Sequence, residues 1–241
     1  EECARWTLTR PQQIFGLVLI VLLVGAAFCR PLGVLLVLNA CAILFYLVQS
    51  AYKFYLVWLS LERPVQVEVS EDEIHAVDEA TLPTYTLQIP LYHEAKVLAG
   101  LVAGLQRLDY PHEKLDIQLL LEEDDEETIA AAYELDLPPH IHPVVVPDSV
   151  PKTKPKACNY GLHICDSDLL VIYDAEDRPE PDQLKKAAIA FTKVPDEIGC
   201  LQAKLNYYNQ RQNLLTRWFT GEYSVWFDLF LPGLTASGAP I

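Results

Sequence analysis

The sequence predicts an α/β fold, a mainly parallel sheet covered by helices on both faces, preceded by two helices able to cross a membrane. Three observations carry this expectation. Two uncharged apolar runs, "IFGLVLIVLLVGAAF" (14–28) and "LGVLLVLNACAILFYLV" (32–48), stand near the start of the chain. After residue 84, short apolar stretches alternate with amphipathic ones, the pattern of a βαβ fold. One of those stretches, "VIYDAEDRPEP" (171–181), runs straight into Asp174, Glu176 and Asp177. Carboxylates after a strand lie where an open α/β sheet keeps its ligand site.

The first segment, 1–61, reads as a transmembrane pair with spans at about 12–29 and 31–50. At 1.5 Å per residue each run with its flanks nearly crosses a ~30 Å hydrocarbon core. A signal peptide would be one shorter run, so two runs argue against it. Arg5 and Arg10 precede the first span, Lys53 and Arg63 follow the second, and Arg30 lies between. The positive-inside bias then places both ends in the cytoplasm of a multi-pass inner-membrane protein, with the following domain cytosolic. Trp6, Tyr52, Tyr55 and Trp58 suit the membrane interfaces, and membrane lipids are expected partners.

Residues 62–83 are polar and acidic and read as a linker. The domain follows at 84–213. "TYTLQIPL" (84–91) predicts a strand ended by Pro90. "EAKVLAGLVAGLQRL" carries apolar residues at 97, 98, 101, 102, 105 and 108, a helical stripe. "LDIQLLL" (115–121) predicts a buried strand, and "DDEETIAAAYEL" a helix with acids in its first turn, as the helix dipole favours. "HPVVVP" predicts a strand, "KACNYGLHI" a helix, "DLLVIYD" (168–174) a strand. "PDQLKKAAIAF" starts a helix with Pro near its first turn, and "GCLQAKL" (199–205) predicts another strand. The last segment, 214–241, predicts an amphipathic helix whose Trp218, Tyr223, Trp226, Phe227 and Phe230 form one aromatic face, suited to a membrane interface or to a core.

Composition narrows the function. The net charge is -15, with 33 acidic against 18 basic residues, which disfavours a nucleic-acid partner. The six cysteines form no CxxC pair and have no zinc-like spacing, so reduced, buried thiols are expected. The chain begins at Glu1, lacks Met and ends at Pro240-Ile241, which reads as a piece of a longer protein.

Asp174 and Glu176 are two apart, and in extended backbone such residues point the same way. Such a pair suits Mg²⁺ or Mn²⁺, which takes one or two carboxylates plus substrate phosphates; the bland alternative is a solvated turn. The lysines of "PKTKPKACN" (151–159) face either a phosphate group or water. "EEDDEE" (122–127) reads as a solvated helix start, and His93-Glu94 as a helix cap.

Taken together, "IPLYHEAKVL", "LDYPHEKLDIQLLLEEDD", "TKPKACNYGL", "VIYDAEDRPEPDQL", "LQAKLNYYN" and "LLTRWFTGEYSVWFDLFLPGL" resemble glycosyltransferase family 2, and within it the membrane-embedded, cellulose-synthase-like enzymes. The resemblance covers 84–241 with the preceding membrane pair. It implies a GT-A type (Rossmann-like) nucleotide-sugar-binding domain. It also implies inverting transfer of a sugar from a nucleoside-diphosphate donor, a UDP-sugar, to a polysaccharide or glycolipid acceptor. Carried over, Pro90, Tyr92 and Glu94 border the base, and Glu123 stands where the family has a uracil-contacting Asp. Lys156 and Asn159 match the lysine motif near nucleotide and sugar, and Gln202 a residue near the donor or acceptor. Asp174 and Glu176 match the D-x-D carboxylates that bind metal.

The departures are Glu for Asp at 123 and 176, and the absence of the T-E-D motif that supplies the base and of Q-x-x-R-W. The base is therefore expected beyond Ile241, and these residues alone are expected to bind donor without turnover. A non-catalytic, membrane-anchored nucleotide-sugar-binding or partner-binding module is the alternative.

Overall fold

The computed structural model describes residues 8–239; Cys3, Arg5, Trp6, Pro240 and Ile241 lie outside the described residues. The chain divides into two units, Gln66–Ala203 and the described parts of Glu1–Val65 with Lys204–Ile241.

In the second of these, α1 (Arg10–Cys29) and α2 (Pro31–Glu62) each start with a proline in the first turn, where its missing N–H costs nothing. Both are long and apolar enough to cross a membrane, with mean hydropathy 2.3, and their apolar windows have no buried residue. Lengths of 20 and 32 residues correspond to about 30 Å and about 48 Å. The excess length of α2 buries Leu56, Leu59 and Ser60.

A helical run near the end of the chain packs there. It comprises α8 (Leu214–Val225), a π-helical turn at Trp226–Phe230, and α9 (Leu231–Ser237). Asn213 and Thr216 close a capping box at its start, and Gly238, at φ 75°, ends it in the left-handed conformation that a Cβ disfavours. Pro232 and Gly233 are buried, and a Cβ at Gly233 would run into the Leu56 carbonyl, so α9 and α2 touch backbone to backbone. The single aromatic face expected over this segment is split. Trp218 and Trp226 are exposed, whereas Tyr223 packs edge-on to Tyr207 at 4.8 Å and stands 6.0 Å from Phe227. Trp218 and Tyr223 both lie in α8, five residues and so about 140° apart around the helix, too far to share one narrow face.

The other unit is the α/β domain. Among the described residues its sheet has four strands in the order β3-β2-β1-β4, all parallel: β1 (Tyr85–Leu91), β2 (Leu115–Glu122), β3 (Ile141–Val146) and β4 (Leu169–Ile172). Odd-numbered residues of β1 and β2, among them Leu87, Ile89, Ile117 and Leu119, face one core. Against it pack α4 (Ala95–Leu105), α5 (Glu126–Glu134) and α7 (Gln183–Thr192), through Leu98, Leu101, Leu105, Ala132, Leu184 and Ala188. On the other face, α6 (Lys154–Leu162) covers Leu120 and Val146 with Ala157 and Cys158. Leu119, Leu120 and Leu121 are fully buried, the signature of a strand covered on both sides.

Four expectations are corrected. Pro90 does not end β1, which runs on to Leu91 opposite Leu121. The Thr84 and Gln88 carbonyls accept from Leu169 and Tyr173, so even-numbered backbone groups of β1 face β4. The N–H that Pro90 lacks therefore falls on that side, beyond Ile172, where no ladder bond is lost.

The stretch 199–205 forms no strand. Leu205 is exposed and no ladder partner reaches it, so its alternation marks no buried face. The presumed linker is partly folded. Ser70 and Glu73 make a capping box on α3 (Glu71–Ala76), Ile74 is buried, and Lys193 pairs with Glu73 at 2.6 Å. The cysteines among the described residues are free, but Cys29, Cys41 and Cys200 are exposed rather than buried.

Gly161 sets how closely α6 meets the sheet. A Cβ there would fall 2.6 Å from the Gln88 amide and 2.8 Å from Gln118 Oε1. The Gln88 amide, turned to satisfy both its atoms, donates to the Cys158 carbonyl at 3.2 Å and accepts from the Leu162 N–H at 3.0 Å. Gly161→Ala is expected to lower stability by about 1–3 kcal/mol through overpacking. Gly100→Ala, in α4 with nothing within 4 Å, should instead raise it by about 0.5–1 kcal/mol. Denaturant unfolding of both variants checks the contrast.

Candidate functional site

The register places the ends of β1, β2 and β3 level, with Leu91 beside Leu121 and Glu122 beside Val146. Every strand is parallel, so the loops leaving these ends meet at one edge. There the chain gathers Tyr92–Glu94 after β1, residues 122–125 at the end of β2, residues 147–153 after β3 and residues 174–177 after β4.

Asp125 ties the first two loops together. Its Oδ2 accepts the His93 N–H at 2.6 Å, and its Oδ1 accepts the Thr128 N–H at 3.2 Å as the N-cap of α5. His93 is the one non-glycine residue with positive φ (58°) among the described residues, and the bond to buried Asp125 offsets the cost of that conformation. The Glu94 N–H donates to Thr128 Oγ1 at 3.1 Å, so Glu94 stands at the head of α4 rather than capping it through its own carboxylate. Tyr92 is exposed, packs its ring at a tilt against His93 with centroids 4.1 Å apart and donates to Asp124 at 3.3 Å.

The run 122–127 is therefore more than a solvated helix start, because Glu122 and Asp125 are buried. Glu122 accepts a bond from Lys156 Nζ at 2.6 Å, a pair whose side chains are 8% and 17% exposed. Glu123 is exposed, and its Oε2 accepts the Asp148 N–H at 2.8 Å, which fixes the loop after β3. Lys152 binds Asp124 and, at 3.1 Å, Asp148; its ammonium holds Asp124 below the usual carboxylate range. Lys154, the first residue of α6, binds Asp174. Three lysines spaced by two residues thus meet carboxylates from β2 and from the β4 loop.

Asp174 and Glu176 do not lie in extended backbone. The Asp177 N–H donates to the Asp174 carbonyl at 3.0 Å, and the Asp177 carboxylate accepts the Asp174 N–H at 2.8 Å, so 174–177 is a tight turn. The i,i+2 argument for a shared direction does not apply in it. Both carboxylates are nevertheless exposed at the sheet edge. No group of three or more His, Cys, Asp or Glu side chains poised for a metal occurs among the described residues. A hard cation that takes one or two carboxylates and completes its shell with phosphate and water still fits the Asp174 loop, where an ammonium already sits.

Asn159 is exposed on α6, one turn beyond Lys156. Pro90 lies half-buried within β1. Gln202 bonds only locally, to the Ala203 carbonyl at 3.0 Å, and no hydrogen bond ties it to the strand ends. Sequence reasoning missed Glu122 and Asp125 as buried anchors. The signal was present: an acid directly after three consecutive leucines at the end of a strand, and a second acid three residues before Thr128.

Burial opposes ionisation of Asp125, but the bonds from Thr128 and His93 more than offset it and hold its carboxyl below the usual carboxylate range. A depressed carboxylate contributes stability that is present above its unfolded pKa and lost as pH falls through the folded one. Stability should therefore drop on acidification below about pH 4. Asp125→Asn should be less stable at neutral pH and show a flatter acid limb in pH-dependent unfolding.

The region 83–230 matches glycosyltransferase-like family 2. A plant relative, probable glucomannan 4-beta-mannosyltransferase 10 of Arabidopsis thaliana, is 26% identical over 172 residues, 65% of this chain and 29% of its own length. Among solved structures, the mannosyltransferase PcManGT of Pyrobaculum calidifontis, in complex with GDP-Man and Mn²⁺, aligns with a TM-score of 0.50 at 24% identity. It covers 66% of this chain and 45% of its own. TarS 1–349 of S. aureus, in complex with UDP-GlcNAc, aligns at a TM-score of 0.37 and 17% identity, over 52% of this chain and 38% of its own. The chain thus spans less than half the length of these relatives. Its parallel sheet with helices on both faces is the GT-A fold, and with more than half its length matched, the chain belongs to glycosyltransferase-like family 2.

Proposed function

We propose that the protein containing this chain transfers a sugar from a nucleoside-diphosphate donor to an acceptor hydroxyl, and that the edge holding Asp174, Lys154 and Lys156 receives the donor. One observation carries the reading: two lysines from the start of α6 meet carboxylates from two different strands at the carboxyl edge of a parallel sheet. Carboxylates there suit a divalent cation, and lysines beside them suit a diphosphate. Tyr92 and Glu94 would border the base, Glu123 the base or ribose, and Asn159 the sugar. Gln202 would reach the donor only if the 199–205 segment moves. Asp174 and Glu176 would hold Mg²⁺ or Mn²⁺, which when bound neutralises a leaving diphosphate.

The relatives leave the donor base open in an informative way. PcManGT is in complex with GDP-Man, TarS with UDP-GlcNAc, and the plant relative is named for mannosyl transfer. The UDP-sugar expectation is therefore tested beside a GDP-sugar. A polysaccharide or glycolipid acceptor, inversion and a cytosolic face of a membrane spanned by α1 and α2 complete the proposal. The 241 residues alone are proposed to bind donor without turnover, because no residue in them matches the family's base motif. The non-catalytic module is favoured by one observation, that Asp174 is already satisfied by Lys154.

The test is thermal unfolding of the full chain in detergent with GDP-mannose or UDP-glucose, with and without Mn²⁺. A ligand at 100 times its Kd adds about 2.7 kcal/mol, a readable shift in midpoint. A cation-dependent shift with one nucleotide, lost in Asp174→Asn, is the expected result. No shift with either donor would remove the donor site and favour the module.

A further inference from the structure

We propose that Lys154 is the donor-free counterion of Asp174. It yields that place to the divalent cation and turns to the diphosphate, so that cation and nucleotide bind the chain cooperatively. The inference rests on the donor-site reading above.

The three lysines of the loop are held unequally. Lys156 is fixed in a half-buried pair with Glu122, its side chain 17% exposed. Lys152 is shared between Asp124 and Asp148. Lys154 lies between them in sequence, with one partner, and both members of its pair are about half exposed, at 44% and 53%. Its backbone is thus anchored on both sides at the mouth of the site, while its four-carbon stem remains free to swing. The Asp174 carboxylate cannot follow it, because its own backbone is pinned from both ends of the turn by Asp177.

Charge gives the direction. Asp174, Glu176 and Asp177 crowd four residues of turn, and Lys154 brings its ammonium to Asp174. A divalent cation alone must displace this ammonium and then sit close to it, so it binds poorly. A diphosphate arriving with the cation offers the ammonium a new anionic partner, and the penalty disappears. Because coupling between two ligands is reciprocal, each must raise the affinity for the other by the same factor.

The experiment measures Mn²⁺ affinity by electron paramagnetic resonance in the full chain in detergent micelles, without nucleotide and with UDP or GDP. Nucleotide affinity at saturating Mn²⁺ is measured by calorimetry. In the unmodified chain, the diphosphate that binds should tighten Mn²⁺. In Lys154→Gln, nucleotide-free Mn²⁺ should bind about 3–5-fold more tightly, the size expected for loss of an exposed competing ion pair. The diphosphate should bind on the order of tenfold more weakly, and the coupling should shrink. Lys154→Arg should keep the coupling. Opposite changes in the two affinities separate this role from a folding defect, which would weaken both. Equal nucleotide-free Mn²⁺ affinity in the unmodified chain and Lys154→Gln, with loss in Asp174→Asn, would overturn the exchange and leave the donor site standing. Mn²⁺ binding that is absent, or indifferent to Asp174→Asn, would overturn both.

Discussion

The parallel pairing of β1 with β2 is the constraint on which the rest depends. Its seven paired positions run from Tyr85 with Leu115 to Leu91 with Leu121, and Leu87, Ile89, Ile117, Leu119, Leu120 and Leu121 at its centre are buried. Each such side chain, fully buried, contributes about 1.5–3 kcal/mol. Parallel strands require a crossover after each, so α4, α5 and α6 are carried back along the faces and every strand releases its chain at the same edge. Groups far apart in sequence, such as His93, Asp125 and Asp174, are brought to one rim by this arithmetic of direction.

At that rim the protein, acidic overall, concentrates its opposite charge. The lysines of 152–156 each bind a carboxylate of a neighbouring loop, so the edge is preassembled as alternating charge rather than left as a field of repelling acids. Rigidity comes from the buried members. Asp125 links the β1 loop to the head of α5, and Glu122 with Lys156 links β2 to α6. The other pair, Lys154 with Asp174, is exposed, the condition under which partners can be exchanged as proposed above. A site needs both kinds: fixed groups to set its shape and labile ones to accept a ligand.

The other unit follows a different rule. The apolar windows of its helices α1 and α2 have no buried residue, and both helices are long and apolar enough to cross a membrane. Where α2 runs past about 30 Å, its surface becomes protein-facing, and Gly233 lets α9 approach until the backbones meet. On the same run Trp218 and Trp226 are exposed, while Tyr223 packs against Tyr207 and stands near Phe227.

Much of this protein was legible in its sequence. The length of the uncharged apolar runs of α1 and α2, the helical stripe of α4 and the short apolar end of β2 bounded by turn residues each point to one kind of element, so the fold class and the strand-end carboxylates were legible in the sequence alone. What escaped was decided by long-range contacts. The alternation at 199–205 looked like a strand, yet a strand exists only where a partner accepts its backbone. The run 122–127 looked uniformly solvated, yet α6 and the β1 loop bury Glu122 and Asp125. Asp174 and Glu176 were read as extended neighbours, and the Asp177 hydrogen bonds fold them into a turn. Local pattern determined which elements form and in what order. Only tertiary structure decided which charges meet, because the free energy of a charge depends on what surrounds it in space and not on its neighbours along the chain.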